Sequence, residues 1–347
     1  QDWDGREVFI SFDGVDSFFY LWINGKMVGY SEDSRLPAHF NISKFLKKGK
    51  NRLAMKVFRF SDGSYLEDQD YWKYSGIERN VFIQARPKSR MNDYVLGNKL
   101  INQYKDGYFT LDVNMLHPQK GQKVEVKVLS ATGKSLFKQI QSITSPADTL
   151  IHFEKLLKNV QPWSAESPYL YTLVINTTDR NGRVEESVAQ PFGFRTIEMK
   201  NGQLLVNGVA ITIKGVNRQE HNAVHGRTLS IGEMVKDVKM MKQFNINAVR
   251  TSHYPNYSEW YQLCDKYGLY MVGEANIECH GILDTEYKQL ADREDWYPAF
   301  HDRMYRMIKR DRNHTAIIIW SMGNESGYVK SFEKLYDMSK AMDPTRP

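Results

Sequence analysis

Three segments place acids, a histidine and an arginine where a buried run of chain would end. In Trp320-Ser-Met-Gly-Asn-Glu-Ser326, the polar Asn324 and Glu325 follow directly on the apolar run Ala316–Trp320. If that run is a barrel strand, both side chains stand at its C-terminal end, where barrel enzymes carry catalytic groups. A carboxyl there, partly desolvated and near a second carboxylate, can have its pKa raised enough to act as an acid. The other reading is that Glu325 caps the helix that follows.

The second segment is Glu274-Ala-Asn-Ile-Glu-Cys-His280. Glu278 and His280 are two apart, so in extended chain they project to the same side. With Glu325 on a neighbouring strand end they can chelate a divalent ion, and two carboxylates with an imidazole and water suit Mg²⁺ or Mn²⁺ better than zinc. The alternative is a hydrogen-bonded histidine between two surface acids. The third segment, Arg250-Thr-Ser-His253-Tyr-Pro, supplies an arginine that can hold a carboxylate ionised and a histidine that can bond sugar hydroxyls. Far upstream, Ser61–Trp72 carries Glu67, Asp68 and Asp70 beside Trp72. The favoured reading is a solvated loop, and the alternative is that its acids reach toward a sugar.

These groups need elements to hold them. The first ~90 residues alternate short strands with Gly-containing turns: Val8–Phe12 and Ser17–Ile23 around Asp13-Gly14, then Asn24-Gly25 into Lys26–Tyr30, then Arg52–Phe60 and Arg79–Ala85. This pattern predicts hairpins in a jelly-roll β-sandwich. From Asn92 to Pro191 turns are expected at Asp106-Gly107, Thr132-Gly133 and Asn181-Gly182, and Val124–Val128 alternates strictly. Such a segment suits an immunoglobulin-like sandwich. After Phe194 strands and helices alternate. Ile211–Val216, Ala248–Arg250, Leu269–Val272 and Ala316–Trp320 are expected as parallel strands. Helices follow Ser230/Glu233 (a capping box), run through Trp260–Tyr267 and Trp296–Met307, and end with about Val329–Met342. The expected domains are 1–91, 92–193 and 194–347.

Four βα units are fewer than the eight that close a (β/α)₈ barrel of ~250 residues. The sequence is therefore expected to be the first half of a barrel with two sandwiches before it, part of a longer protein. Composition narrows the class. Net charge is +6, spread along the chain, and the basic run Lys47–Lys50 reads as a solvated turn, so no nucleic-acid partner is expected. The longest strongly apolar run is Ala316–Trp320, short of the ~20 residues of a membrane helix. Cys264 and Cys279 make no disulfide framework and are expected as buried thiols. The start at Gln1 carries no information on compartment.

Five segments together resemble the β-galactosidases of glycoside hydrolase family 2: Asp62–Arg79 (DGSYLEDQDYWKYSGIER), Gly215–His221 (GVNRQEH), Asn247–Asn256 (NAVRTSHYPN), Glu274–Gly281 (EANIECHG) and Arg310–Gly327 (RDRNHTAIIIWSMGNESG). The resemblance implies a retaining hydrolase of terminal β-D-galactose that forms a homo-oligomer. It implies Glu325 as general acid/base and Asn324 as the bond to the sugar 2-hydroxyl, with His253 and Arg250 lining the galactosyl site. Asp70 would bind galactose and Na⁺, while Glu278, His280 and Glu325 would hold Mg²⁺. The nucleophilic glutamate would belong to a later strand, and the start of the sugar-binding domain would precede residue 1. Gln219 stands where the bacterial members carry a histidine that supports the transition state, so that contact does not carry over. The rivals are a family 2 hydrolase for another β-glycoside, such as a fucoside or glucuronide, and a carbohydrate-binding protein without catalysis.

Overall fold

A computed structural model describes residues 3–282, 290–327 and 330–347. The first unit is a β-sandwich of two three-stranded antiparallel sheets. Glu7–Phe12 pairs with Ala38–Asn41 and Val81–Arg86, and Phe18–Ile23 pairs with Lys26–Glu32 and Leu53–Phe58. Alternation turns Ile10 and Phe12 of one sheet against Phe19, Leu21 and Ile23 of the other, all buried. Asn24 and Gly25 close the expected hairpin, both with positive φ.

Asp13-Gly14 does not form a hairpin. Glu7–Phe12 finds both partners elsewhere, and at Asp13 the chain leaves one sheet for the other. Gly14 is needed there for room, because a Cβ would stand 2.8 Å from the Arg79 side chain.

The second unit is an immunoglobulin-like sandwich. One sheet joins Leu150–Leu157, Asp106–Leu116 and Arg90–Ile101. The other joins Ser135–Ser142, Lys123–Leu129, Tyr171–Thr178 and Val184–Phe192. Val124, Val126 and Val128 are fully buried, as their alternation requires. The turn expected at Asp106-Gly107 lies instead at Asn102–Lys105, where Asn102, Gln103 and Tyr104 take positive φ. Asp106 and Gly107 are in the ladder, opposite Ile101 and Leu100.

The third unit alternates strands and helices. Its strands are β1 (Gly215–Arg218), β2 (Ala248–Thr251), β3 (Tyr270–Glu274) and β4 (Ile317–Ser321), all parallel and neighbours in chain order. The helices are α1 (Ile231–Gln243), α2 (Ser258–Tyr267), α3 (Tyr297–Asp311) and α4 (Lys330–Met342). The first strand begins later than Ile211, because Gly215 is the residue that registers with Ala248 while Ile213 remains exposed. Val329, expected in the last helix, lies outside the described residues.

Local chemistry accounts for the helix ends. Ser230 and Glu233 form the reciprocal capping box of α1, and Gly268 stops α2 with φ +75. The buried Met234, Val238 and Met241 of α1 each contribute about 1.5–3 kcal/mol by leaving water. Among the described residues this is an open four-stranded parallel arc of a TIM barrel, whose strands and helices share one apolar core. Cys264 and Cys279 are free and buried. No helix among the described residues is long and apolar enough to cross a membrane.

Candidate active site

The chain beyond β3 and the chain beyond β4 stay together after the strands end. The Asn324 N–H donates to the Ile277 carbonyl at 2.9 Å, and Glu278 bridges Asn324 in parallel register. Gly323 permits this approach, since a Cβ there would lie 2.5 Å from the Ile277 carbonyl oxygen and its φ is +141. Glu325 comes next with φ 37, a left-handed conformation that costs a non-glycine residue about 1–3 kcal/mol and that clusters at functional sites.

On its other side Glu278 is held by the first sandwich. Its N–H donates to the Leu66 carbonyl at 2.8 Å, and its carbonyl accepts from the Asp68 N–H at 3.1 Å. The Ser61–Trp72 loop is therefore not a free solvated loop. Glu67 accepts from the Ser34 N–H at 3.1 Å and hydroxyl at 2.5 Å, from the Asn276 amide at 2.9 Å and from Arg303 at 2.5 Å. Asp68 takes the Gly281 N–H at 2.7 Å. The sequence hides this because every barrel partner lies far along the chain. Trp72 stacks on His221 with ring centroids 4.6 Å apart.

Glu278, His280 and Glu325 converge. Each offers a ligand atom, and these atoms lie within 4.8 Å of one another. His280 Nδ1 and Glu325 Oε2 are 2.7 Å apart, both half exposed. Glu278 is buried, and its Oε2 has no hydrogen-bond partner. Burial pushes its carboxyl up to about 7, and the charges of Glu325 and Asp70 add to this. An orphaned buried carboxylate oxygen facing a carboxylate and an imidazole is a donor set that fits a cation. Asp70 is exposed and stands outside this group of three, near enough for its charge to act on Glu278.

The remaining candidates gather around a residue the sequence reading did not single out. Arg250 does hold a carboxylate, but it is Glu274: Nε donates at 2.6 Å and Nη2 at 3.0 Å. Arg250 Nη2 also donates to Asn324 Oδ1 at 2.8 Å. His253 Nδ1 meets Glu274 Oε1 at 2.8 Å. The chain at and beyond the ends of β2, β3 and β4 thus joins Arg250, His253 and Asn324 through Glu274 and the Arg250–Asn324 bond, with Glu278 bridged to Asn324.

Three family models match in succession: the sugar binding domain of glycosyl hydrolases family 2 over residues 1–87, the family's central domain over 89–195, and its TIM barrel domain over 197–347. The chain belongs to glycosyl hydrolase family 2. Among curated family 2 relatives it is similar to the β-galactosidases of Pectobacterium atrosepticum (46% identical, 97% of this chain and 33% of that protein) and Priestia megaterium (42%, 100% and 35%). The chain spans about a third of the length of the curated relatives it matches. Among solved structures, a β-glycosidase from Bacteroides vulgatus matches with TM-score 0.86 and 25% identity, over 100% of this chain and 44% of that one. A β-glucuronidase from Bifidobacterium dentium matches with TM-score 0.86 and 22% identity, over 99% and 62%, a likeness of fold.

Proposed function

We propose that the whole protein of which this chain is a part hydrolyses terminal non-reducing β-D-galactosyl residues with retention of configuration, and that Glu325 is its general acid/base. The observation that carries the reading is Glu325 itself, placed at the end of β4 with left-handed φ and within reach of Glu278 and His280. Glu325 protonates the departing glycosidic oxygen and then deprotonates the water that releases galactose. Asn324 takes the 2-hydroxyl, His253 and Arg250 line the galactosyl site, and the exposed Asp70 takes a galactose hydroxyl and one place around Na⁺. Glu278, His280 and Glu325 would hold Mg²⁺ or Mn²⁺, and the ion would supply positive charge that offsets the two carboxylates. Domains 1–91, 92–193 and 194–347 are the working division, and a homo-oligomer is the assembly proposed.

Retention requires a second carboxylate about 5–5.5 Å from Glu325 to attack the anomeric carbon. Glu274 is saturated by Arg250, His253 and Ser321, and Glu278 belongs to the cation set. The resemblance to the family 2 β-galactosidases supports a nucleophilic glutamate on a barrel strand later than the four described.

The test is Glu325→Ala in the full-length protein. Substrates with poor leaving groups should slow sharply, activated aryl galactosides should lose less in the glycosylation step, and azide should restore turnover by attacking the glycosyl-enzyme without a base. Equal loss on both substrate types with no azide rescue would overturn the assignment. Because of Gln219, β-fucosides and β-glucuronides belong in the same panel.

A further inference from the structure

Glu274 ends β3 with no exposed surface, yet no step assigned above uses it. Its two oxygens receive four donors from three elements. Arg250, in β2, gives two; the loop after β2 gives His253 Nδ1; and β4 gives the Ser321 hydroxyl at 2.7 Å. The Glu274 backbone N–H is itself fixed to the Thr251 hydroxyl at 3.0 Å. Burial alone would raise this carboxyl, but the His253, Arg250 and Ser321 bonds hold it below its ordinary value, so it stays an ionised acceptor.

Two consequences follow from acceptor-only chemistry. His253 must carry its proton on Nδ1 to bond Glu274, so in its neutral form Nε2 is the lone-pair nitrogen left for the substrate. Arg250 donates to Asn324 Oδ1 with the same Nη2 that bonds Glu274, which fixes the amide with its oxygen toward the arginine and its NH₂ group away from it. A single buried anion thereby sets the orientation of two side chains on different strand ends.

We propose that Glu274 is a positioning residue of the glycosidase site, which sets the His253 tautomer directly and the Asn324 amide orientation through Arg250. This rests on the reading of Asn324 as the partner of the sugar 2-hydroxyl. Replacing Glu274 by Gln keeps the volume but leaves one acceptor oxygen in place of two. With that oxygen at the Oε1 position the new NH₂ group faces the Arg250 Nε–H, and with it at Oε2 the NH₂ faces Arg250 Nη2 and His253 Nδ1, so the two-pronged Arg250 bond is broken either way. Arg250, no longer held on both prongs, then shifts, and its bond to Asn324 Oδ1 no longer fixes that amide in the same place.

The experiment is steady-state kinetics of the full-length protein on an aryl β-galactoside and its 2-deoxy analogue, for wild type, Glu274→Gln, Asn324→Ala and the double variant. Misplacement on the ångström scale costs on the order of 10²-fold in rate. The expected result for Glu274→Gln is a loss of that order in kcat/KM on the 2-hydroxy substrate, several-fold less on the 2-deoxy substrate, and a double variant little worse than Asn324→Ala. If Glu274→Gln does not fold, Arg250→Lys keeps the charge but breaks the two-pronged bond, and the same pattern is expected. An unchanged ratio between the two substrates, or additive losses in the double variant, would overturn the proposal. A wild type that cleaves another β-glycoside and not the galactoside defeats the galactosidase reading alone. Glu274 is then judged by the same ratio on the substrate that is cleaved. A wild type that cleaves no glycoside overturns both.

Discussion

Arg303 of α3 and Glu67 of the first sandwich form an ion pair at 2.5 Å, with side chains only 3% and 9% exposed. Arg303 also donates to the Asn276 carbonyl at 3.1 Å, and Asn276 bonds both Glu67 and Asp33 at 2.9 Å. Asn276 is two residues before Glu278, so the docking of the first sandwich and the placement of a cation ligand are one structure. Removing one partner of a buried pair costs about 3–5 kcal/mol where the other charge is stranded. Asp33 stands 3.7 Å from Arg303 and keeps the loss at or below the lower end of that range. Glu67→Ala should lower the free energy of unfolding accordingly, read from the shift of the denaturant midpoint at unchanged m. It should also weaken Mg²⁺ binding about 10–100-fold, the usual effect of disturbing residues behind a ligand, measured by titration calorimetry. Unchanged Mg²⁺ affinity would separate the two.

How much of this could be read beforehand depended on distance along the chain. The catalytic candidates were legible because a strand end is a local signal: an apolar run followed by Asn324-Glu325, and again by Glu278 and His280. The α1 cap and the Asn24-Gly25 hairpin were legible for the same reason. Asp13-Gly14 misled because a turn dipeptide reports a change of direction and not which strands pair afterward. Glu67 reads as a solvated loop acid and Glu274 draws no notice, because their donors, Ser34, Asn276 and Arg303 for one, Arg250, His253 and Ser321 for the other, are scattered in sequence. Glu274 was inside a recognised motif but carried no spacing that distinguished it.

Asp343, just after α4, gives a pH dependence. Its carboxylate accepts from the Trp320 indole N–H at 2.9 Å and from the Arg346 guanidinium, in a buried setting. Burial opposes its charge, but Arg346, Thr345 and Trp320 outweigh that and hold it well below 3.8. With the folded value depressed, this stabilisation is fully present above the unfolded pKa. It is lost as pH falls through 3.8 toward the folded value. Asp343→Asn should therefore have a lower Tm than wild type at pH 7, and the difference should begin to narrow near pH 4 and go on narrowing as the pH falls further. A constant difference would show that the charge is not what matters.

Gly323 is tested by adding one methyl group. At φ +141 with the Ile277 carbonyl in the way, Gly323→Ala must push apart the segments that carry Asn324 and Glu278. Cation affinity and glycosidase activity should both fall by more than tenfold, as for a ligand set displaced from its supports. The two losses should run together. Loss of activity with full cation affinity would show that the segments can part without moving Glu278.

Asp70 separates binding from folding. Its loop is anchored by neighbours on both sides, with the Glu67 and Gln69 carbonyls accepting from Lys73 Nζ at 2.9 and 3.1 Å and Tyr71 donating to the Glu220 carbonyl at 3.2 Å. Its own carboxylate is exposed and carries none of these contacts. Substitution at such a position changes stability by about 0.5 kcal/mol or less. Asp70→Ala in the full-length protein should leave the unfolding midpoint in place while raising KM for galactosides, and Na⁺ should no longer lower KM. A variant whose KM and kcat match wild type at every Na⁺ concentration would remove Asp70 from the site. A variant that loses stability and activity together would make its role one of holding the loop, which the pattern of anchors through Lys73 and Tyr71 argues against.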